Sequence, residues 1–99
     1  MGIAHELITR GWTQGLTLRS TGEVCLLGAA IRAYGIEEVG TSRCWALLPS
    51  TVRDALCDAT GIDDPLGGYA VGRWNDHDKR TFDEVLRVAK EADELLDAQ

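Results

Sequence analysis

With 99 residues, 44% of them hydrophobic and 26% charged, the chain is long enough for one hydrophobic core and too short for two, and residues 1–99 read as a single domain rather than a disordered segment. Its net charge of −6, with no segregated basic patch, opposes approach to a phosphate backbone and excludes nucleic acid as a partner. No apolar run approaches the roughly 20 residues of a membrane helix and no basic segment followed by an apolar stretch opens the chain, so the expected setting is the cytoplasm.

Ile3, Ala4, Leu7 and Ile8 recur at helical spacing, and Gly11 follows Arg10, a favourable last-turn charge. A short first helix is predicted. Trp12-Thr13-Gln14-Gly15 reads as a connection, with Leu16 and Leu18 pinning the segment that follows. Ser20-Thr21-Gly22-Glu23 has the S-x-x-E form of a capping box and predicts a second helix from Ser20 to Tyr34, ahead of Gly35. Val24, Leu27, Ile31 and Tyr34 lie on one face, but Leu26, Ala29, Ala30 and Ala33 make the other sides apolar too, the pattern of a helix surrounded by protein. Gly28 inside it costs about 1 kcal/mol relative to alanine and predicts a close approach by another backbone.

Ser42 to Leu48 suits one or two turns, ended by Pro49, after which Ser50 is placed to cap the next helix. Val52, Ala55, Leu56 and Ala59 give that helix its buried stripe and Gly61 closes it. From Ile62 to Arg73 the chain carries Pro65, Gly67, Gly68 and Gly72, which predicts a loop with a short extended piece at Tyr69-Ala70-Val71. Thr81-Phe82-Asp83-Glu84 is a second capping box, and Phe82, Val85, Leu86, Ala89, Ala92 and Leu96 continue it as an amphipathic last helix. The fold class is therefore all-α: a compact bundle of about four helices around the Ser20 to Tyr34 helix, with a long ordered loop before the last one.

Few residues form a pattern that carries chemistry. Cys25, Cys44 and Cys57 fit neither a disulfide framework nor the paired C-x-x-C of a zinc site, and read as reduced thiols. Cys25 near a helix start, with His5, His77, Asn75 and Asp76 as sources of a base, suggests a thiol nucleophile; its apolar neighbours suggest packing instead. Asp76-His77-Asp78, with Asp63 and Asp64 nearby, suggests a metal, but counting from Asp76 puts Thr81 at the sixth position and Arg87 at the twelfth, where a calcium loop needs Gly and Glu. No cofactor or metal is expected. Gly67-Gly68-Tyr69-Ala70-Val71-Gly72 lacks the Lys-Ser/Thr of a phosphate loop. Trp45 is assigned to the core, while Trp12 and Trp74 fall in connections, as lids over the core or as interface anchors.

Three segments in order, Gly11-Trp12-Thr13-Gln14-Gly15, Cys25-Leu26-Leu27-Gly28-Ala29 and Trp74-Asn75-Asp76 leading through Arg80-Thr81 to Val85-Leu86, resemble a family of small proteins of unknown function from actinobacteria and their phages. The resemblance covers most of the chain and implies a helical fold in a bacterial or infected-cell cytoplasm. His77 stands where a small or apolar residue is usual in that family, which weakens a catalytic reading of it. Asn75 and Asp76 are expected to satisfy loop and helix-start amides, and Gln14 to bridge backbone groups under Trp12.

The favoured expectation is a non-enzymatic binding protein, a phage-encoded modulator of a host protein, with a host or self protein as partner. Its surface is drawn from Trp12, Gln14, Trp74, Asn75 and Asp76, with Glu91 and Glu94 of the acidic last helix steering a basic surface. The alternative is a small-molecule-binding protein or thiol enzyme built on the Trp12, Cys25 and Trp74 neighbourhood.

Overall fold

The computed structural model describes residues 2–15, 20–36, 42–62 and 69–98, with the backbone alone for 42–44 and 69. The expectations placed on Leu16, Leu18, Cys44, Asp63, Asp64, Pro65, Gly67 and Gly68 lie outside the described residues. Six helices occupy the described residues: α1 Ile3–Arg10, α2 Leu26–Ala33, α3 Ser42–Leu47, α4 Ser50–Thr60, α5 Tyr69–Asp76 and α6 Phe82–Asp97. The all-α class holds, with six helices rather than about four. α1 lies against α2 and α6, α4 runs along α6, and α5 packs against α2 and α4. Leu26 to Ile31 of α2 are buried without interruption, as the apolar residues on all its sides require.

α1 forms where its spacing places it, but only Ile3, Ala4 and Leu7 are buried; Ile8 is 61% exposed, because a helix this short turns one stripe inward and position 8 lies off it. Its first turn contains no capping side chain of its own. The Asp93 carboxylate of α6 accepts from the backbone N–H of Ile3 at 2.9 Å and of Ala4 at 3.0 Å, satisfying two of the helix's orphan donors from the far end of the chain. A Cβ on Gly2 would lie 2.8 Å from that carboxylate, so a side chain there would push Asp93 away from the amides it holds.

α2 starts later than the Ser20-Thr21-Gly22-Glu23 signature predicts. Val24 is drawn into an isolated parallel bridge with Trp12, its N–H donating to Gly11 O and its carbonyl accepting from Thr13 N, both at 2.9 Å. An extended Val24 cannot also be helical. Cys25 becomes the N-cap rather than an interior residue, its Sγ accepting from Gly28 N at 3.3 Å. Glu23 reaches Thr21, not the helix.

The closures of α2 and α4 share one local device. Gly35 and Gly61 both adopt φ of +74°, and the isoleucine after each donates back to the helix, Ile36 N to Ile31 O and Ile62 N to Cys57 O. This is the glycine closure with a following apolar residue that ends many helices. At the start of α4, Ser50 is the first helical residue and makes no cap; Pro49, extended at ψ 144°, is the N-cap, since the residue preceding Ser50 already has its φ fixed by the ring and has no N–H to satisfy.

The segment read as a long loop with an extended piece contains α5. Val71, Trp74 and Asn75 stand at helical spacing, and Val71 and Asn75 are fully buried with Trp74 packed beside the core. That tertiary burial outweighs the cost of Gly72, whose missing side chain would meet nothing within 4 Å. Trp74 therefore sits on a helix, not in a connection. α6 carries the capping box predicted for it, with Thr81 and Glu84 each bonding the other's backbone N–H, and buries Val85, Val88, Ala89 and Ala92. Trp45 is in the core at 4% exposure.

Candidate functional site

Trp12, Gln14, Asn75 and Asp76 come together where the Gly11–Gly15 connection crosses the C-terminal turn of α5. Asn75 is the centre. Its Oδ1 accepts from the Trp12 indole N–H at 2.8 Å and from Leu26 N, the first amide of α2, at 3.0 Å. Its Nδ2 donates to Thr13 O at 3.1 Å and to Asp76 Oδ1 at 3.0 Å. A side-chain amide offers two donors and two acceptor lone pairs, so this fully buried amide is completely satisfied, as a buried polar group must be. Asn75 thus fastens the connection, the start of α2 and α5 to one another.

Gln14 and Asp76 extend the network. Gln14 Nε2 donates to the carbonyls of Asn75 at 3.0 Å and His77 at 2.9 Å, bridging backbone groups as expected, and Asp76 Oδ1 accepts from Gly15 N at 2.8 Å. The amides expected to be served by Asn75 and Asp76 are those of the Gly11–Gly15 connection and of α2, rather than of the helix that follows them. The Trp12 ring stacks on Phe82 of α6, centroids 6.2 Å apart and planes 7° from parallel. Trp74 points elsewhere: the Arg80 guanidinium lies 3.9 Å over its ring while Arg80 Nε donates to Trp74 O at 2.8 Å and Nη1 to Glu84 at 3.0 Å. Arg80 thereby closes α5 and ties it to the cap of α6.

Glu91 and Glu94 do not join this group. They line a separate open hollow of about 600 Å³ on the outer face of α6 with Asp83, Leu86, Arg87 and Lys90, with Glu91 roughly 13 Å along the helix from Phe82 at 1.5 Å per residue. Asp93, an acid of the same helix, faces inward and holds α1. Cys25 is 4% exposed; burial first, and then the charge of Asp76, pushes its thiol above the ordinary cysteine value, outweighing the lowering by the Gly28 and Leu27 amides. It is protonated at neutral pH, the opposite of an activated nucleophile. His77 is exposed, its Nδ1 accepting from Lys79 N at 3.2 Å, and His5 is exposed on α1 beside Thr9. Among the described residues no three His, Cys, Asp or Glu side chains are placed to hold a metal ion, and no helix is long and apolar enough to cross a membrane.

Arg80 and Phe82, which hold the two tryptophans, and Thr13 join the site although the sequence marks them only as motif or helix-stripe residues. The available signal was Asn75 itself, a polar residue four positions after Val71 in an apolar stripe. Such a residue has to be satisfied by distant groups.

The molecule is an all-helical protein whose shared polar knot is built from a connection and two helices. Residues 2–95 match the family of unknown function DUF6197, and the chain belongs to that family. No curated protein and no solved structure matches it.

Proposed function

We propose that this protein acts by binding another protein rather than by catalysis. The observation that carries the reading is the use made of the knot: the amide of Asn75, the amide nitrogen of Gln14 and the indole N–H of Trp12 are engaged with one another and with backbone groups. Groups committed to holding the fold are poorly suited to meeting a substrate. Glu91 and Glu94, by contrast, stand on the outer face of α6, where they give a negative field that steers a basic partner surface. Trp74 is left out as an anchor because Arg80 covers its ring. In the setting that the motif resemblance implies, an actinobacterial or phage-infected cytoplasm, the partner is a host protein.

Capture from an actinobacterial lysate with two baits in parallel tests this. A protein retained by the wild type, eluted by salt and lost to Glu91→Lys with Glu94→Lys is the expected result; nothing retained above bare resin overturns the reading. The thiol-enzyme alternative is tested by alkylation: native Cys25 should react with iodoacetamide far more slowly than a free thiol, and rapid selective labelling at pH 6 would favour the enzyme.

A further inference from the structure

Trp12, Thr13, Gln14, Thr21 and Glu23 line a second hollow, open to solvent and about 500 Å³ in volume. The bridge between Trp12 and Val24 creates it, because pairing Val24 beside Trp12 brings the preceding Glu23 alongside the connection, near enough that a Cβ on Gly11 would touch Glu23 Cγ at 3.3 Å. Glu23 is half-buried there and, among the described residues, accepts one hydrogen bond, from the Thr21 hydroxyl at 2.5 Å. Its situation differs from that of the two glutamates paired on helices: Glu6 has Arg10 at 2.8 Å and Glu84 has Arg80 at 3.0 Å, whereas Glu23 has no cationic partner among the described residues. The Trp12 ring beside it is fixed in advance, by its N–H on Asn75 and by its stacking on Phe82. The face of a rigid indole and a carboxylate without a cationic partner among the described residues form the recognition chemistry of an organic cation, which gains both the charge pair and the ring quadrupole. In a chain of net charge −6, electrostatic complementarity selects that same sign of ligand.

Resting on the reading above that the protein binds a protein partner, we infer that this hollow receives an arginine side chain of that partner, its guanidinium against Glu23 and over Trp12. The probe is N-acetyl-arginine amide, with the uncharged N-acetyl-citrulline amide as its isostere, titrated into the isotopically labelled whole chain and followed by the amide resonances and the Trp12 indole N–H. Saturable shifts confined to Trp12–Gln14 and Thr21–Glu23 with the arginine probe are expected, with none from citrulline. Affinity should fall at least tenfold in Glu23→Gln, a variant whose circular dichroism is unchanged. No saturable shift up to about 50 mM, where a contact with Kd near 1 mM would be saturated, overturns the inference, as do equal shifts from citrulline or equal affinity in Glu23→Gln. Shifts on the outer face of α6 alone also overturn it, while leaving the protein-binding reading intact.

Discussion

The helices of this protein are started in two different ways. α6 begins on its own side chains: Thr81 and Glu84, three residues apart, satisfy each other's backbone amides. α2 has Cys25 Sγ on Gly28 N, but its first amide, that of Leu26, is held by Asn75, 49 positions later in the chain, and α1 begins on Asp93, 90 positions away from Ile3. A locally capped helix can nucleate before the rest of the chain is in place, whereas α1 acquires its cap, and α2 the acceptor for its first amide, only when α6 and α5 have docked. Their N-termini therefore report on the integrity of the tertiary fold, and the start of α6 does not.

Breaking the distant caps should accordingly cost more than breaking the local one. The largest effect is expected for Asn75→Ala, which leaves the Trp12 indole N–H and the Leu26 N–H without their shared partner in a buried site. At roughly 1–3 kcal/mol for each orphaned donor, a loss of at least about 2 kcal/mol follows. Urea denaturation measures it, and a loss below about 1 kcal/mol would mean that the knot does not hold the start of α2. Asp93→Ala removes both acceptors from the first turn of α1 and a negative charge from the positive end of its dipole. The expected cost is about 1–2 kcal/mol, with hydrogen exchange accelerated at Ile3 and Ala4 by native-state exchange measurements. Thr81→Ala is expected to cost about 1 kcal/mol and to accelerate exchange at Glu84, leaving Leu26 as protected as before; equal loss of protection at Leu26 would erase the distinction between the two kinds of start.

The same distinction governs what is legible in the sequence. The capping box of α6, the stripes of α4 and α6, and the Gly35 and Gly61 closures are all specified by residues a few positions apart, and they form where the local pattern predicts. The Ser20-Thr21-Gly22-Glu23 signature has the same form as Thr81-Phe82-Asp83-Glu84, yet it caps nothing. The difference lies in Val24, whose extended bridge to Trp12 depends on a partner twelve residues earlier that no local pattern announces. α5 was hidden for a related reason: Gly72 and its glycine-rich approach oppose helix locally, and only the burial of Val71 and Asn75 against other helices favours it. In the candidate site, the bonding capacity of Gln14, Asn75 and Asp76 could be anticipated from their side chains and neighbours. Which distant groups would use it could not, so Asn75 reads as a surface candidate until the fold shows it at 0% exposure.

The smallest expected effect sharpens the comparison from the side of α6. The Glu84 carboxylate accepts from the Thr81 N–H at 3.2 Å, from the Thr81 hydroxyl at 3.2 Å and from Arg80 Nη1 at 3.0 Å. First the Thr81 backbone bond, and then Arg80, hold its pKa below the ordinary glutamate value against a smaller opposing effect of desolvation. The folded state therefore binds this proton less readily than the unfolded chain, so the carboxylate's contribution to stability is fully present above the unfolded value of about 4.3 and is lost as pH falls through the lower folded value. Glu84→Gln keeps an acceptor at the same position, and with it the capping box, but cannot titrate. The variant should be slightly less stable than the wild type at neutral pH, and the gap should close on acidification from about pH 5 to pH 3. Urea midpoints of the two proteins across that range measure the gap. A gap that stays constant would show that the charge on Glu84 adds nothing to a start that the uncharged box already secures.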